Sequence, residues 1–285
     1  MDAAGYNNLG ITYKDQDNLT KAIQMWEKAI ELDPDYADAY INLGFAYCLQ
    51  GNLTKAIESC KKAIELDPDY ALAYINLGVA YKVQGNTGKA IQSFEKSIEL
   101  NPDDAQAYYN LGDIYFDQGN LTKAIQMWEK TIELDPDYAD AYNNLGYAYY
   151  LQGTLTKAIE KYEKAIELDP DYALAYINLG NVYRDQGNLT KAIQMWEKSI
   201  ELDPTADTYY NLGIAYNDQG KLTNAIQMWE KAIELNPDDA DAYNNLGVAY
   251  YNNGDFDTSL IYFKKAAKLG HKGAQDWLKK KGSDW

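Results

Sequence analysis

Seven prolines punctuate the 285-residue chain, at 34, 68, 102, 136, 170, 204 and 237, so that five of the six intervals are 34 residues and one is 33. A period of this length means that one supersecondary unit is stacked many times, each unit burying its apolar face against the next. It overrides the estimate of two domains that length alone would suggest. The short interval falls near Thr205, where DPTADTYY replaces the DPDYADAY-like run of other units. NLTKAIQMWEK occurs unchanged at 18–28, 120–130 and 188–198, at offsets of 102 and 68 residues. The longer run GNLTKAIESCKKAIELDPDYALAYINLG (51–78) returns nearly intact 102 residues later. These identities report copied blocks of scaffold rather than a catalytic motif used three times.

Counted from the alanines at 3, 37, 71, 105, 139, 173, 206 and 240, the chain holds eight units. Positions 4, 7, 8 and 11 of each unit carry Tyr, Leu, Gly and Tyr; in the first unit these are Tyr6, Leu9, Gly10 and Tyr13. The spacing i, i+3, i+4, i+7 is one face of an α-helix. Glycine in mid-helix costs about 1 kcal/mol against alanine, so its recurrence predicts that something approaches the helix closely there. Gly51, Gly85, Gly119, Gly153, Gly187, Gly220 and Gly254 then suit a helix C-terminal stop, with Asp17 in that place in the first unit. Asparagines such as Asn52 and Asn120 suit the N-cap of a second helix. That helix carries apolar residues at positions 17, 20, 21, 24, 27 and 28, as in Leu53, Ala56, Ile57, Cys60, Ala63 and Ile64. Proline ends it, and an aspartate such as Asp35 is expected to cap the next first helix.

The 34-residue pattern of Tyr-x2-Leu-Gly-x2-Tyr, then Ala-x3-Trp or Phe, then Pro resembles the tetratricopeptide repeat. The resemblance runs from residue 3 to about 273, with Asp17, Cys60, Ser259 and His271 as departures. It implies an all-α fold, a right-handed superhelical α-solenoid of antiparallel helix pairs. The expected repeats are 3–36, 37–70, 71–104, 105–138, 139–172, 173–205, 206–239 and 240–273, in one solenoid over 1–285. A helix at 274–281, with Ala274 and Trp277, is expected to cap the last apolar face.

On a helical wheel, positions 2, 5, 6, 9, 12 and 13 lie opposite the apolar stripe. The family resemblance implies that they line a concave groove. Position 6 is asparagine in every unit, including Asn42, Asn76, Asn110, Asn144, Asn178 and Asn211. A carboxamide supplies both donor and acceptor, which is what an extended peptide backbone needs. The row is similar to the asparagine ladder in the superhelix of O-linked N-acetylglucosamine transferases. Its other reading is an inherited family feature. Ile41, Phe45, Cys48, Leu49, Ile75, Val79 and Val83 make units two and three apolar at the expected groove positions. Tyr109, Phe116, Tyr147, Tyr150, Leu151 and Ile177 continue the patch through units four to six. Large apolar residues outside a core suggest a contact surface. Asp15, Asp38, Asp113, Asp117, Asp140, Asp185, Asp207, Asp218 and Asp241 are interspersed, opposed by Lys14, Lys82 and Arg184. A matching partner segment is apolar with Lys or Arg, and extended or helical. No unit has Lys or Arg at position 2, 5, 6 or 9, so the clamp by which some family members grip acidic chaperone tails is not expected.

The net charge of −17 argues against nucleic acid and anionic membrane surfaces. It suits either a basic partner or acidic turns that keep a long solenoid soluble. Two cysteines, no leader and no long apolar run lead to the expectation of a cytoplasmic location. The lone His271 assembles no catalytic constellation, and DPDYAD lacks the glycine and distal glutamate of an EF-hand loop. The expectation is a protein-interaction scaffold with no enzyme activity, catalytic residue, cofactor or metal. The alternatives are a self-associating solenoid, a substrate-recruiting region of a larger enzyme, or a consensus-derived chain without a natural partner.

Overall fold

The alternation of two helical patterns per period is realised throughout: the computed structural model describes residues 1–285, and its regular elements are all α-helices. The first helices are α1 (Ala3–Asp15), α3 (Ala37–Leu49), α5 (Ala71–Val83), α7 (Ala105–Asp117), α9 (Ala139–Leu151), α11 (Ala173–Asp185), α13 (Ala206–Asp218) and α15 (Ala240–Asn252). The second helices are α2 (Leu19–Leu32), α4 (Leu53–Leu66), α6 (Thr87–Leu100), α8 (Leu121–Leu134), α10 (Leu155–Leu168), α12 (Leu189–Leu202), α14 (Leu222–Leu235) and α16 (Phe256–Lys268). A seventeenth helix, α17, covers Lys272–Lys280. It begins two residues before the expected start, because the imidazole Nδ1 of His271 accepts from Ala274 N at 3.0 Å and caps it.

Local chemistry explains where the helices turn. Gly51 sits at φ +74° and Asp17 at φ +56°, the left-handed conformation that closes a helix. Asn52 Oδ1 then accepts from Lys55 N at 3.3 Å, giving α4 the expected side-chain cap. The expected capping by Asp35 is corrected. Tyr36 occupies the N-cap of α3 and makes no side-chain cap bond, while Asp33 accepts from Asp35 N at 3.1 Å. Asp33, Asp67, Asp135 and Asp169, and in two repeats Asn101 and Asn236, fold the turn in this way. Where another residue stands in place of the tyrosine, it caps the helix itself: Asp2, Asp104 and Asp239 with a carboxylate and Thr205 with its hydroxyl.

Two compact units divide the chain, Met1–Ala141 and Tyr142–Trp285. In the first, each first helix packs on its second helix, and each second helix on the next first helix. The core is a continuous run of position-matched residues, among them Trp26, Cys60 and Phe94 with Leu43, Leu77 and Leu111. In the second, α11–α12, α13–α14 and α15–α16 pair in the same way, and α17 packs on α16. There Ala274 and Leu278 join Phe263, Ala266 and Ala267, so the last helix pair does not leave its apolar face in water.

Position 24 is the packing anchor in both units: Trp26, Cys60, Phe94, Trp128, Tyr162, Trp196, Trp229 and Phe263 are all buried. The recurrent helix glycine exists to admit this side chain. A Cβ on Gly78 would stand 2.7 Å from Phe94 Cε1, and one on Gly112 would stand 2.5 Å from Trp128 Cδ1. The close approach predicted from the glycine is therefore made by a side chain of the second helix.

Candidate partner-binding face on the first helices

Neighbouring first helices touch along the first unit, α1 with α3, α3 with α5 and α5 with α7, which aligns equivalent positions side by side. Position 5 falls at these contacts. Ile41 and Ile75 are 3% and 0% exposed, and Ile41 packs between Ala63 and Ala73. Neither presents a surface to a partner, in contrast to the expectation. Positions 9 and 13 do: Phe45 is exposed, Leu49 is 61% exposed and Val83 is 60% exposed. Val79 is half-buried against the core. In the second unit, Tyr147, Leu151 and Val248 are the exposed large apolar residues at these positions.

Four of the aromatic residues expected in the groove are already engaged with neighbours. Tyr109 stacks on Tyr138 at 4.8 Å between ring centroids, and Phe116 leans on Trp128 at 5.7 Å. Tyr147 stacks with Tyr150 at 6.4 Å, and the Tyr150 hydroxyl donates to Asp185. Ile177 is half-buried.

The asparagine row has a use that periodicity does not reveal. Asn42 Nδ2 donates to Asn7 Oδ1 at 2.9 Å, and Asn178 Nδ2 donates to Asn143 Oδ1 at 3.0 Å. Asn76 Nδ2 reaches the Ile41 carbonyl at 3.4 Å, and Asn245 Nδ2 the Tyr210 hydroxyl at 3.3 Å. In all four cases position 6 donates to position 5 of the preceding repeat. Asn110 instead donates to the Gln106 carbonyl of its own helix at 2.8 Å, and Asn144 Oδ1 accepts from Asn143 at 3.4 Å. Asn211 is half-buried.

Charges on this face are paired in a similar manner. Lys82 Nζ lies 2.9 Å from Asp113 Oδ2, while Asp113 Oδ1 accepts from the Trp128 indole at 3.3 Å. Burial pushes the Asp113 carboxyl up, and Lys82 opposes that shift. Trp26, Trp196 and Trp229 donate to the backbone carbonyl at position 5 of their own repeats instead, so the aspartate gives the fourth repeat a different interior bond. Arg184 pairs with Asp185 at 3.1 Å and Lys14 with Asp15 at 3.3 Å.

One concavity was not anticipated. Tyr210, Ile214 and Asn217 on α13 face Asn245, Val248 and Asn252 on α15 across a pocket of about 340 Å³. These are positions 5, 9 and 12 of one repeat and 6, 9 and 13 of the next. All are positions expected to face the groove, although the apolar patch was expected to run only through the sixth repeat.

Paired helices in tandem, with exposed apolar side chains on several of the first helices, define a helical-repeat scaffold. A TPR repeat model matches residues 10–51, 46–85, 81–119, 112–153, 146–184, 180–220 and 215–254, and a tetratricopeptide repeat model matches 240–272. The chain belongs to the tetratricopeptide-repeat family. Among solved structures it is similar to MamA, at 33% identity and TM-score 0.53, over 57% of this chain and 96% of that one. It is also similar to YrrB, described as a TPR protein with an unusual peptide-binding site, at 27% identity and TM-score 0.52, over 68% of this chain and 97% of that one. Likeness to PilF of Pseudomonas aeruginosa, at 22% identity and TM-score 0.64 over 74% and 97% of the two chains, is one of fold. No curated protein matches the chain. No helix is long and apolar enough to cross a membrane.

Proposed function

We propose that the chain is a scaffold that holds a partner segment, apolar with basic residues, along the exposed face of its first helices, without catalysing a reaction. The observation that carries this reading is the exposure of Phe45, Leu49 and Val83 at groove positions, in repeats whose other apolar side chains are mostly withdrawn from water. Their loss of water on binding supplies the driving force. The surplus of acid, −17 overall, favours lysine or arginine in the segment. The asparagines act as a half-used ladder: where Nδ2 is committed to the preceding repeat, the carboxamide oxygen has acceptor capacity for a peptide N–H.

The test is selection of peptides from an unbiased display library on the full chain, followed by binding to Leu49→Asp and Val83→Asp variants. Both positions are exposed, so these variants keep the fold. The expected peptides combine apolar and basic residues and bind either variant at least ~10-fold more weakly, a difference of about 1.4 kcal/mol. Selected peptides that bind both variants unchanged would move the site elsewhere.

A further inference from the structure

The last helix pair and α17 bring together a group of aromatic rings, one from each of α15, α16 and α17. Tyr251 meets Phe256 edge-on, at 5.2 Å between centroids and 66° between planes. It meets Trp277 at 5.8 Å and 84°. Rings at such angles form the walls of a corner rather than a stack. Trp277 is fixed in place by stacking on the buried Phe263 at 4.3 Å. With Asp257 and Leu260 these rings line a pocket of about 450 Å³ that opens to solvent. Phe256, at 60% exposure, is among the most exposed large apolar residues of the chain.

The corner already receives a cation. Lys281 Nζ lies 5.8 Å from the Tyr251 ring centroid and 5.6 Å from that of Trp277. Both distances fall within the roughly 6 Å over which a ring quadrupole attracts positive charge. Asp257, on the rim, adds a negative potential of the same preference. Lys281 lines this pocket rather than filling it. It is also a weak occupant: a primary ammonium is strongly hydrated, and holding a long side chain in one place costs rotamer entropy.

We propose that Tyr251, Phe256 and Trp277, with Asp257, form a site for a methylated lysine side chain of a partner, which displaces Lys281. A less hydrated ammonium gains more from the same rings, so methylation strengthens binding. The site adjoins the first-helix face at Tyr251, position 12 of α15, while Phe256 and Trp277 lie on α16 and α17, outside that face.

The test uses the full isotope-labelled chain and reads the Trp277 indole N–H resonance. The probe is the Nα-acetyl amide of trimethyl-lysine, and the neutral Nα-acetyl amide of Nε-acetyl-lysine is the control. The trimethylated probe is expected to shift Trp277 saturably, and Lys281→Ser to tighten its binding at least three-fold by removing the internal competitor. On that background Phe256→Ala and Asp257→Asn, both at exposed positions, are each expected to weaken it three-fold or more. The proposal is overturned if the Lys281→Ser chain shows no saturable shift, if it binds the probe no more tightly than the parent chain, or if the neutral control binds equally well.

Discussion

Asn178 donates to Asn143 across a repeat boundary at 3.0 Å, and Asn143 is only 3% exposed. The bond satisfies a carboxamide that water cannot reach. Asn178→Ala strands that acceptor and is expected to cost about 1–3 kcal/mol of unfolding free energy. Asn110→Ala removes a bond to the carbonyl of its own helix and is expected to cost less, about 0.5–1 kcal/mol. Urea unfolding of the two variants measures the difference. Equal losses would show that the boundary bond contributes nothing special.

Tyr47 makes a second kind of stitch, donating from its hydroxyl to Glu27 of the preceding repeat at 2.9 Å. Tyr183 donates to Glu163 at 3.0 Å, and Tyr216 to Glu197. Burial first and the carboxylate second push each of these phenols up to about 12. A tyrosine whose folded pKa exceeds its unfolded value holds its proton more tightly when folded. Its stabilisation is complete below the ordinary value near 10 and is lost as pH rises through about 12. Thermal stability is therefore expected to fall steeply across that window. Tyr47→Phe, Tyr183→Phe and Tyr216→Phe together should flatten the fall while lowering stability at neutral pH.

Two glycines of one repeat separate close approach from backbone strain. Gly78→Ala forces a Cβ against Phe94 at 2.7 Å, and overpacking of this kind is expected to cost about 1–3 kcal/mol. Gly85→Ala meets nothing within 4 Å but sits at φ +80°, where only left-handed strain applies, about 1 kcal/mol. Combining Gly78→Ala with Phe94→Leu should recover part of the first loss and none of the second, as read by chemical unfolding.

Tyr162 fills position 24 with a buried hydroxyl that has no hydrogen-bond partner. Tyr162→Phe keeps the ring and removes the stranded group. It is expected to stabilise the chain by about 1 kcal/mol, seen as a higher urea midpoint at unchanged slope.

The helices, their caps at Asn52 and Asn120 and the buried row at position 24 were legible because they follow from one wheel and one period. Burial of Ile41 and Ile75 was not. A wheel separates the face that packs within a helix pair from the face opposite, but position 5 turns toward the neighbouring first helix, a third direction that a single helix does not encode. For the same reason the asparagine row looked like a surface ladder before its bonds to the preceding repeat were visible. Asp35 was misassigned because the turn and the cap compete for the same two aspartates, and the turn at Asp33 takes precedence. The concavity between α13 and α15 was not legible because the pattern along one helix does not encode the space left between two neighbouring first helices.

The central claim, that a partner segment lies on the first helices, is tested most directly by photocrosslinking with a peptide selected on the full chain. A benzophenone side chain is placed at Leu49, on α3, or at Glu58, exposed on the second helix of the same repeat. The account predicts an adduct from position 49 that unlabelled peptide suppresses, and none from position 58. An adduct from position 58 alone would contradict it.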